Sequence, residues 1–172
     1  SPRINEQILE HAPNLKIIGE LEGDRFAVRI DLETCWQRNI STVDTTQWSS
    51  YPVAEWALAL ILISLRNAGA MFRKITAGTP PSGEEKRKNQ KMRYGKRGGL
   101  IGCGHMGRRL IKCWRGFEVD LWVHDPYLPR EMAEAIGFVQ TSLDNLLSQC
   151  NVVVCLAPLT PKTEGMIGKR EL

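Results

Sequence analysis

The chain has 172 residues, 42% of them hydrophobic and 24% charged, with 23 Lys and Arg against 19 Asp and Glu for a formal charge of +4. That length supports one good core, or one domain with part of another, and that charge is too small to argue for a nucleic-acid partner. The five cysteines (Cys35, Cys103, Cys113, Cys150 and Cys155) are odd in number and lack Cys-x-x-Cys spacing, which argues against both a disulfide framework and a structural zinc site, and no metal is expected.

The first residues show no basic region leading into an apolar stretch and a small-residue cleavage site. The longest apolar run, 53–65, is shorter than the ~18 residues a spanning helix needs. A cytoplasmic protein with no membrane partner is expected.

In chain order, residues 4–10 have helical spacing and "LKIIG" has the character of a buried strand ending at Gly19. "IDLETCWQRNI" then places Leu32, Cys35 and Trp36 on one helical face, and "STVDTT" follows as a short strand or loop. This βαβ-like rhythm marks residues 1–50 as one unit. From residue 51 a second unit begins, entered through a long helix, "SSYPVAEWALALILISLRNAGAMFRK", with Ser49 and Ser50 near its cap and Pro52 and Glu55 in its first turn. Apolar nearly all round, that helix is expected to be buried on most sides and to join the two units.

Residues 76–97, "TAGTPPSGEEKRKNQKMRYGKR", combine Gly, Pro and Ser with a basic run. They read as a solvated connection rather than a nucleic-acid patch, because phosphate contacts need a positioned surface and Tyr94 alone does not make the aromatic interleaving that base stacking uses. Beyond it come a strand (98–101), a helix (105–115), a strand (119–124), a helix (129–135), a short extended "FVQT", a helix (142–149), the strand "NVVVCL" and a short terminal helix. Alternating strands and helices at this spacing imply an α/β fold, a parallel sheet with helices on both faces.

Within "GLIGCGHMGRRL" the glycines Gly102, Gly104 and Gly107 hold G-x-G-x-x-G spacing between a strand and a helix. Gly102 permits the tight turn, Gly104 lets backbone approach a pyrophosphate, and Gly107 allows close helix packing. The helix start offers free N–H groups and a positive dipole end to the phosphates. Asp125, at the end of the next strand and on the order of twenty residues beyond the motif, is placed to accept hydrogen bonds from adenosine ribose, which favours NAD over NADP. A turn role for Asp125 before Pro126 is the competing reading. His105 is expected to matter through its backbone, and Cys103 to fill the turn.

With these motifs, "VHDPYLP", "LDNLLSQCNVVVCLAPLTPKTEGMIG" and the long-helix segment, the chain resembles the D-isomer-specific 2-hydroxyacid dehydrogenases. The resemblance implies a Rossmann-type doubly wound parallel sheet, incomplete here, beside a partial flavodoxin-like substrate domain. It implies an NAD-dependent oxidoreductase that interconverts a 2-hydroxy acid and a 2-oxo acid, working as a homodimer through the long-helix region. Backbone at His105 and Met106 would meet the pyrophosphate, Asp125 and Pro126 the ribose end, and Ala157, Pro158 and Thr163 would line the cofactor cleft.

The segment "GELEGDRFAVRIDLE" occupies the place of the family's substrate-carboxylate loop but departs from its glycine-spaced pattern. Gly23, Asp24 and Arg25 are the substrate candidates there, with a solvated turn as the alternative. By the same resemblance the catalytic arginine, acid and histidine lie downstream of anything matching "MIGKREL". No catalytic residue is therefore assigned in this chain, and the isolated chain is expected to be inactive. "VVVCL" would be the fourth strand of a 3-2-1-4-5-6 sheet, left as an apolar edge. The alternative function is an NAD(H)-sensing binding protein on the same scaffold, similar to the C-terminal-binding corepressors.

Overall fold

The computed structural model describes residues 3–21, 26–90 and 96–171. The substrate candidates Gly23, Asp24 and Arg25 lie outside the described residues.

The first fifty residues build α1 (Glu6–Glu10), β1 (Ile17–Glu20), α2 (Phe26–Arg29), α3 (Leu32–Gln37) and β2 (Ser41–Asp44). The short helices are held by side-chain caps: Asn5 accepts the Ile8 N–H at 3.2 Å and Asp31 accepts the Thr34 N–H at 3.1 Å, each pairing a donor the first turn leaves orphaned. β1 and β2 pair in parallel with Ile17 opposite Ser41, the βαβ rhythm expected from sequence. Leu9, Ile18, Ile30, Cys35 and Ile40 form a core against these strands. Trp36, expected to share the inner face with Leu32 and Cys35, is instead 76% exposed. At 3.6 residues per turn it lies about 100° from Cys35 and off the buried stripe.

The long helix departs from expectation in three ways. It begins at Thr46, earlier than the serines, and α4 (Thr46–Leu65) then stops at Arg66, with Asn67 in the left-handed region at φ +48° before α5 (Ala68–Thr76). Asn tolerates that conformation better than most residues, so one apolar pattern becomes two helices. Ser50, read as a cap, is buried inside α4 and donates its hydroxyl to Gln47 O at 2.6 Å. Nor is the helix buried all round: Ala54, Ala57, Leu58 and Ile61 pack inward, while Trp48, Tyr51, Trp56, Leu60 and Ile63 are exposed. Residues Gln47–Leu65 are long and apolar enough to cross a membrane by length and composition, which the shorter run read from sequence was not.

The expected solvated connection contains a third helix, α6 (Gly83–Gln90). Its start is a reciprocal capping box, in which Ser82 Oγ accepts the Glu85 N–H at 3.2 Å and Glu85 Oε2 accepts the Ser82 N–H at 2.9 Å. Glu85 also pairs with Lys74 of α5, tying the two helices together.

The second sheet follows in the order expected: β3 (Arg97–Ile101), α7 (His105–Trp114), β4 (Asp120–His124), α8 (Arg130–Ile136), β5 (Val139–Gln140), α9 (Leu143–Gln149) and β6 (Val152–Cys155). All pairings are parallel and the strand order is β5-β4-β3-β6, which is 3-2-1-4 in Rossmann terms. Among the described residues β6 is the sheet edge beside β3. Leu110, Ile111 and Trp114 of α7 pack with Leu100, Leu121 and Val123 of the sheet and Ala54 of α4, so α4 and α7 together cover one face. In place of the expected terminal helix, residues 161–171 form turns, bonded Met166 N–H to Thr163 O at 3.2 Å and Glu171 N–H to Gly168 O at 3.2 Å. Gly165 at φ +69° interrupts any helical run there.

Candidate cofactor site

The order in which strands are added to the sheet reverses at β3: one crossover leads to β4 on one side, and a later one returns to β6 on the other. The crevice at the carboxyl ends of strands at such a switch point is where open α/β sheets bind ligands. Three loops meet there, 102–104 after β3, 125–129 after β4 and 156–163 after β6.

The glycines of the turn divide into different physical roles. Gly102 has φ +90°, donates its N–H to His124 O at 2.9 Å, and lies so close to the β6 loop that a Cβ would fall 2.8 Å from Ala157 N. Gly107 lets α7 pack on the turn, because a Cβ there would stand 2.4 Å from Gly102 O. Gly104 is the opposite case: a Cβ on it meets nothing within 4 Å, and as N-cap of α7 it offers no side-chain acceptor. The bend is thus tight where protein meets protein and open where the helix start faces outward. His105 is exposed and Met106 half-buried on the first turn of α7.

Asp125 ties the turn together. Its Oδ2 accepts the Cys103 N–H at 2.7 Å and its Oδ1 accepts the Tyr127 N–H at 3.0 Å. The turn role weighed against ribose binding is therefore present. A carboxylate has about four acceptor directions, so two donors leave capacity for ribose hydroxyls. Gln140 braces the same loop, donating Nε2–H to Leu128 O at 3.0 Å and to Asp125 O at 3.2 Å; no sequence signal marked it. Arg130, the Arg or Lys nearest Asp125 in sequence, pairs with Glu134 one turn along α8 at 3.4 Å.

Cys103 is 2% exposed. Burial, reinforced by the Asp125 carboxylate, pushes its thiol from 9.0 up to about 11, so it sits in the turn as a neutral filler. In the β6 loop Ala157 is half-buried and Pro158 exposed. Thr163, also half-buried, turns its hydroxyl inward: Oγ1 donates to Pro158 O at 2.5 Å and accepts the Thr160 N–H at 2.8 Å, bracing the loop. From the same loop Lys162 reaches across to Tyr127, Nζ to Oη 3.3 Å, so the loops after β4 and β6 touch over the end of β3. Pro126 is exposed beside them.

Residues 58–172 match the family model described as D-isomer specific 2-hydroxyacid dehydrogenase, NAD binding domain. The chain belongs to this family. D-3-phosphoglycerate dehydrogenase of Methanocaldococcus jannaschii is 30% identical over 171 residues, which are 99% of this chain and 32% of that protein. Glyoxylate reductase of Thermococcus gammatolerans is 30% identical over 185 aligned positions, 100% of this chain and 52% of the relative. D-lactate dehydrogenase from Aquifex aeolicus, solved in complex with NAD and lactic acid, superposes with a TM-score of 0.78 at 26% identity, covering 98% of this chain and 49% of that one. A dehydrogenase-family chain of 172 residues thus spans about a third to a half of the length of these relatives. The α/β fold with parallel sheets read from sequence is the fold of this family.

Proposed function

We propose that this dehydrogenase-family chain binds NAD at the switch point, with the diphosphate on the Gly104–Met106 backbone and the adenosine ribose on Asp125. The observation that carries the reading is the contrast within one turn, sealed at Gly102 and Gly107 but open at Gly104, where an uncapped helix start leaves N–H groups and a positive dipole end for an anion. Pro126, Ala157, Pro158 and Thr163 supply the flanking walls. Asp125 selects NAD, since a 2′-phosphate beside its carboxylate would meet like charge. Bound there, the nicotinamide supplies hydride chemistry.

For the whole protein, the activity proposed is interconversion of a small 2-hydroxy acid and its 2-oxo acid, with Gly23, Asp24 and Arg25 as candidates for holding the substrate carboxylate. The catalytic arginine, acid and histidine of the family match no residue assigned here, so the 172 residues supply the cofactor half of that reaction and are proposed to bind without turnover. The exposed stripe Trp48, Trp56, Leu60 and Ile63 on α4 supports a homodimer, and five free cysteines support a reducing, cytoplasmic setting.

Calorimetric titration of NAD and NADP into the chain tests the cofactor reading. Saturable NAD binding, tighter than NADP, is expected; no binding, or NADP bound more tightly, overturns it.

A further inference from the structure

The first turns of α7 carry cations that the cofactor reading does not use. His105, Arg108, Arg109 and Lys112 line an open cavity of about 200 Å3, bordered on its other side by Gln47 and Ser50 from the start of α4. No lining residue is acidic. Their spacing of three, four and seven residues puts them on one helical face.

Five described cations elsewhere pair with carboxylates: Arg29 with Glu20, Lys74 with Glu85, Arg97 with Asp120, Arg130 with Glu134, and Arg170 with Asp144 and Glu171. Arg108, Arg109 and Lys112 are in no such pair among the described residues. Arg108 reaches only back to Gly104 O, at 3.4 Å. Arg109 lies over the Tyr51 ring, 3.5 Å from its centroid, which holds the planar guanidinium in place and lowers the ordering cost of using it. Three basic side chains therefore border one cavity that no acidic residue lines, and an anion between them would relieve their mutual repulsion.

The cavity adjoins the diphosphate turn at His105 and extends away from it along α7. Lys112 lies seven residues beyond His105, about 10 Å along the helix axis at 1.5 Å per residue. The contacts here are side chains on the flank of α7, whereas the cofactor reading uses backbone at its tip. A doubly charged phosphate matches two or three cations, and guanidinium groups present donors in the fork geometry phosphate oxygens accept. The volume lies below the ~300–1,000 Å3 of pockets for larger ligands, enough for a phosphate on a short carbon chain.

We propose that the α4–α7 cavity is an anion site for a small phosphate-bearing molecule, held by Arg108, Arg109 and Lys112 and distinct from the cofactor turn. The test is calorimetry on the full chain at matched ionic strength, titrating inorganic phosphate and, separately, glycerol phosphate, each with and without NAD. One site per chain is expected, indifferent to NAD and weakened at least tenfold in an Arg108→Gln/Lys112→Gln double variant. Both side chains are exposed, so the variant should melt like wild type; the single Lys112→Gln change, with a smaller loss in the same direction, serves if it does not. Tighter binding of the ester assigns an esterified ligand, tighter binding of free phosphate the free ion, and either supports the site. Absence of binding, equal affinity in wild type and variants, or displacement by NAD overturns it. Phosphate binding that depends on Arg108 and Lys112 in a chain that fails to bind NAD would sink the cofactor reading and leave this one standing.

Discussion

Asp125 Oδ2 accepts the backbone N–H of Cys103 at 2.7 Å, joining the end of β4 to the middle of the glycine turn. The carboxylate proposed to read the ribose is thus also a brace of the loop that would hold the diphosphate. Its two roles separate by substitution. Asp125→Ala leaves the Cys103 N–H without its acceptor, which costs about 1–3 kcal/mol when the donor is buried. Asp125→Asn keeps an acceptor oxygen and should lose much less. Both should reduce the preference for NAD over NADP at least tenfold. Denaturant melts measure the first effect and calorimetry the second; an unchanged cofactor preference in Asp125→Asn would retire the ribose assignment.

Gly104 and Gly107 offer a second separation of binding from stability. Alanine at Gly107 places a methyl 2.4 Å from Gly102 O, backbone that cannot swing aside, so the chain should lose about 1–3 kcal/mol or more. Alanine at Gly104 meets nothing within 4 Å, so melting should stay close to wild type. If diphosphate lies against that backbone, the Gly104→Ala variant should still bind NAD at least tenfold more weakly. A Gly104→Ala variant with wild-type affinity would place the diphosphate elsewhere.

The Cys103 thiol, raised by burial from 9.0 to about 11, sets a pH dependence whose sign follows from linkage. The folded chain holds the proton more tightly than the unfolded one, so the stabilisation is fully present below pH 9 and is lost as pH rises through about 11. Cys103→Ala should flatten the alkaline fall in denaturant midpoint. At pH 8 Cys155, which is exposed, should alkylate well before Cys103; peptide mapping after brief iodoacetamide treatment reads the order, and equal labelling would contradict the burial.

The outward stripe of α4 carries the dimer proposal. Trp56 is 63% exposed and Ile63 46%, on the side away from the Ala54, Ala57, Leu58 and Ile61 face that packs on the sheet unit. If the stripe meets a second copy, Trp56→Glu should shift the species seen by light scattering from dimer to monomer while the far-ultraviolet spectrum stays unchanged. A wild-type monomer at tens of micromolar would remove the proposal.

The alternation of strands with helical patterns after residue 97 was legible because the central strand β3 is buried on both faces and its neighbours β4 and β6 carry short apolar runs, and because G-x-G-x-x-G spacing has steric causes visible in one dimension. The helix of residues 83–90 was equally available through the Ser82 to Glu85 capping box, but the surrounding basic run hid it. The break at Asn67 was harder to see, since left-handed backbone at a non-glycine residue is chosen by packing as much as by type.

Residue identity by itself determined the order of strands after residue 97, the parallel sheet and the glycine turn of residues 102–107, because periodicity, glycine sterics and capping are properties of neighbours along the chain. Only the tertiary structure decided that Asp125 spans from its own strand to Cys103, that Thr163 bonds inward to Pro158, that α4 hides one face and shows another, and that Arg108, Arg109 and Lys112 share a cavity with Gln47. Those facts depend on which groups far apart in sequence compete for the same hydrogen bond or the same space, and that competition exists only after the strands have paired.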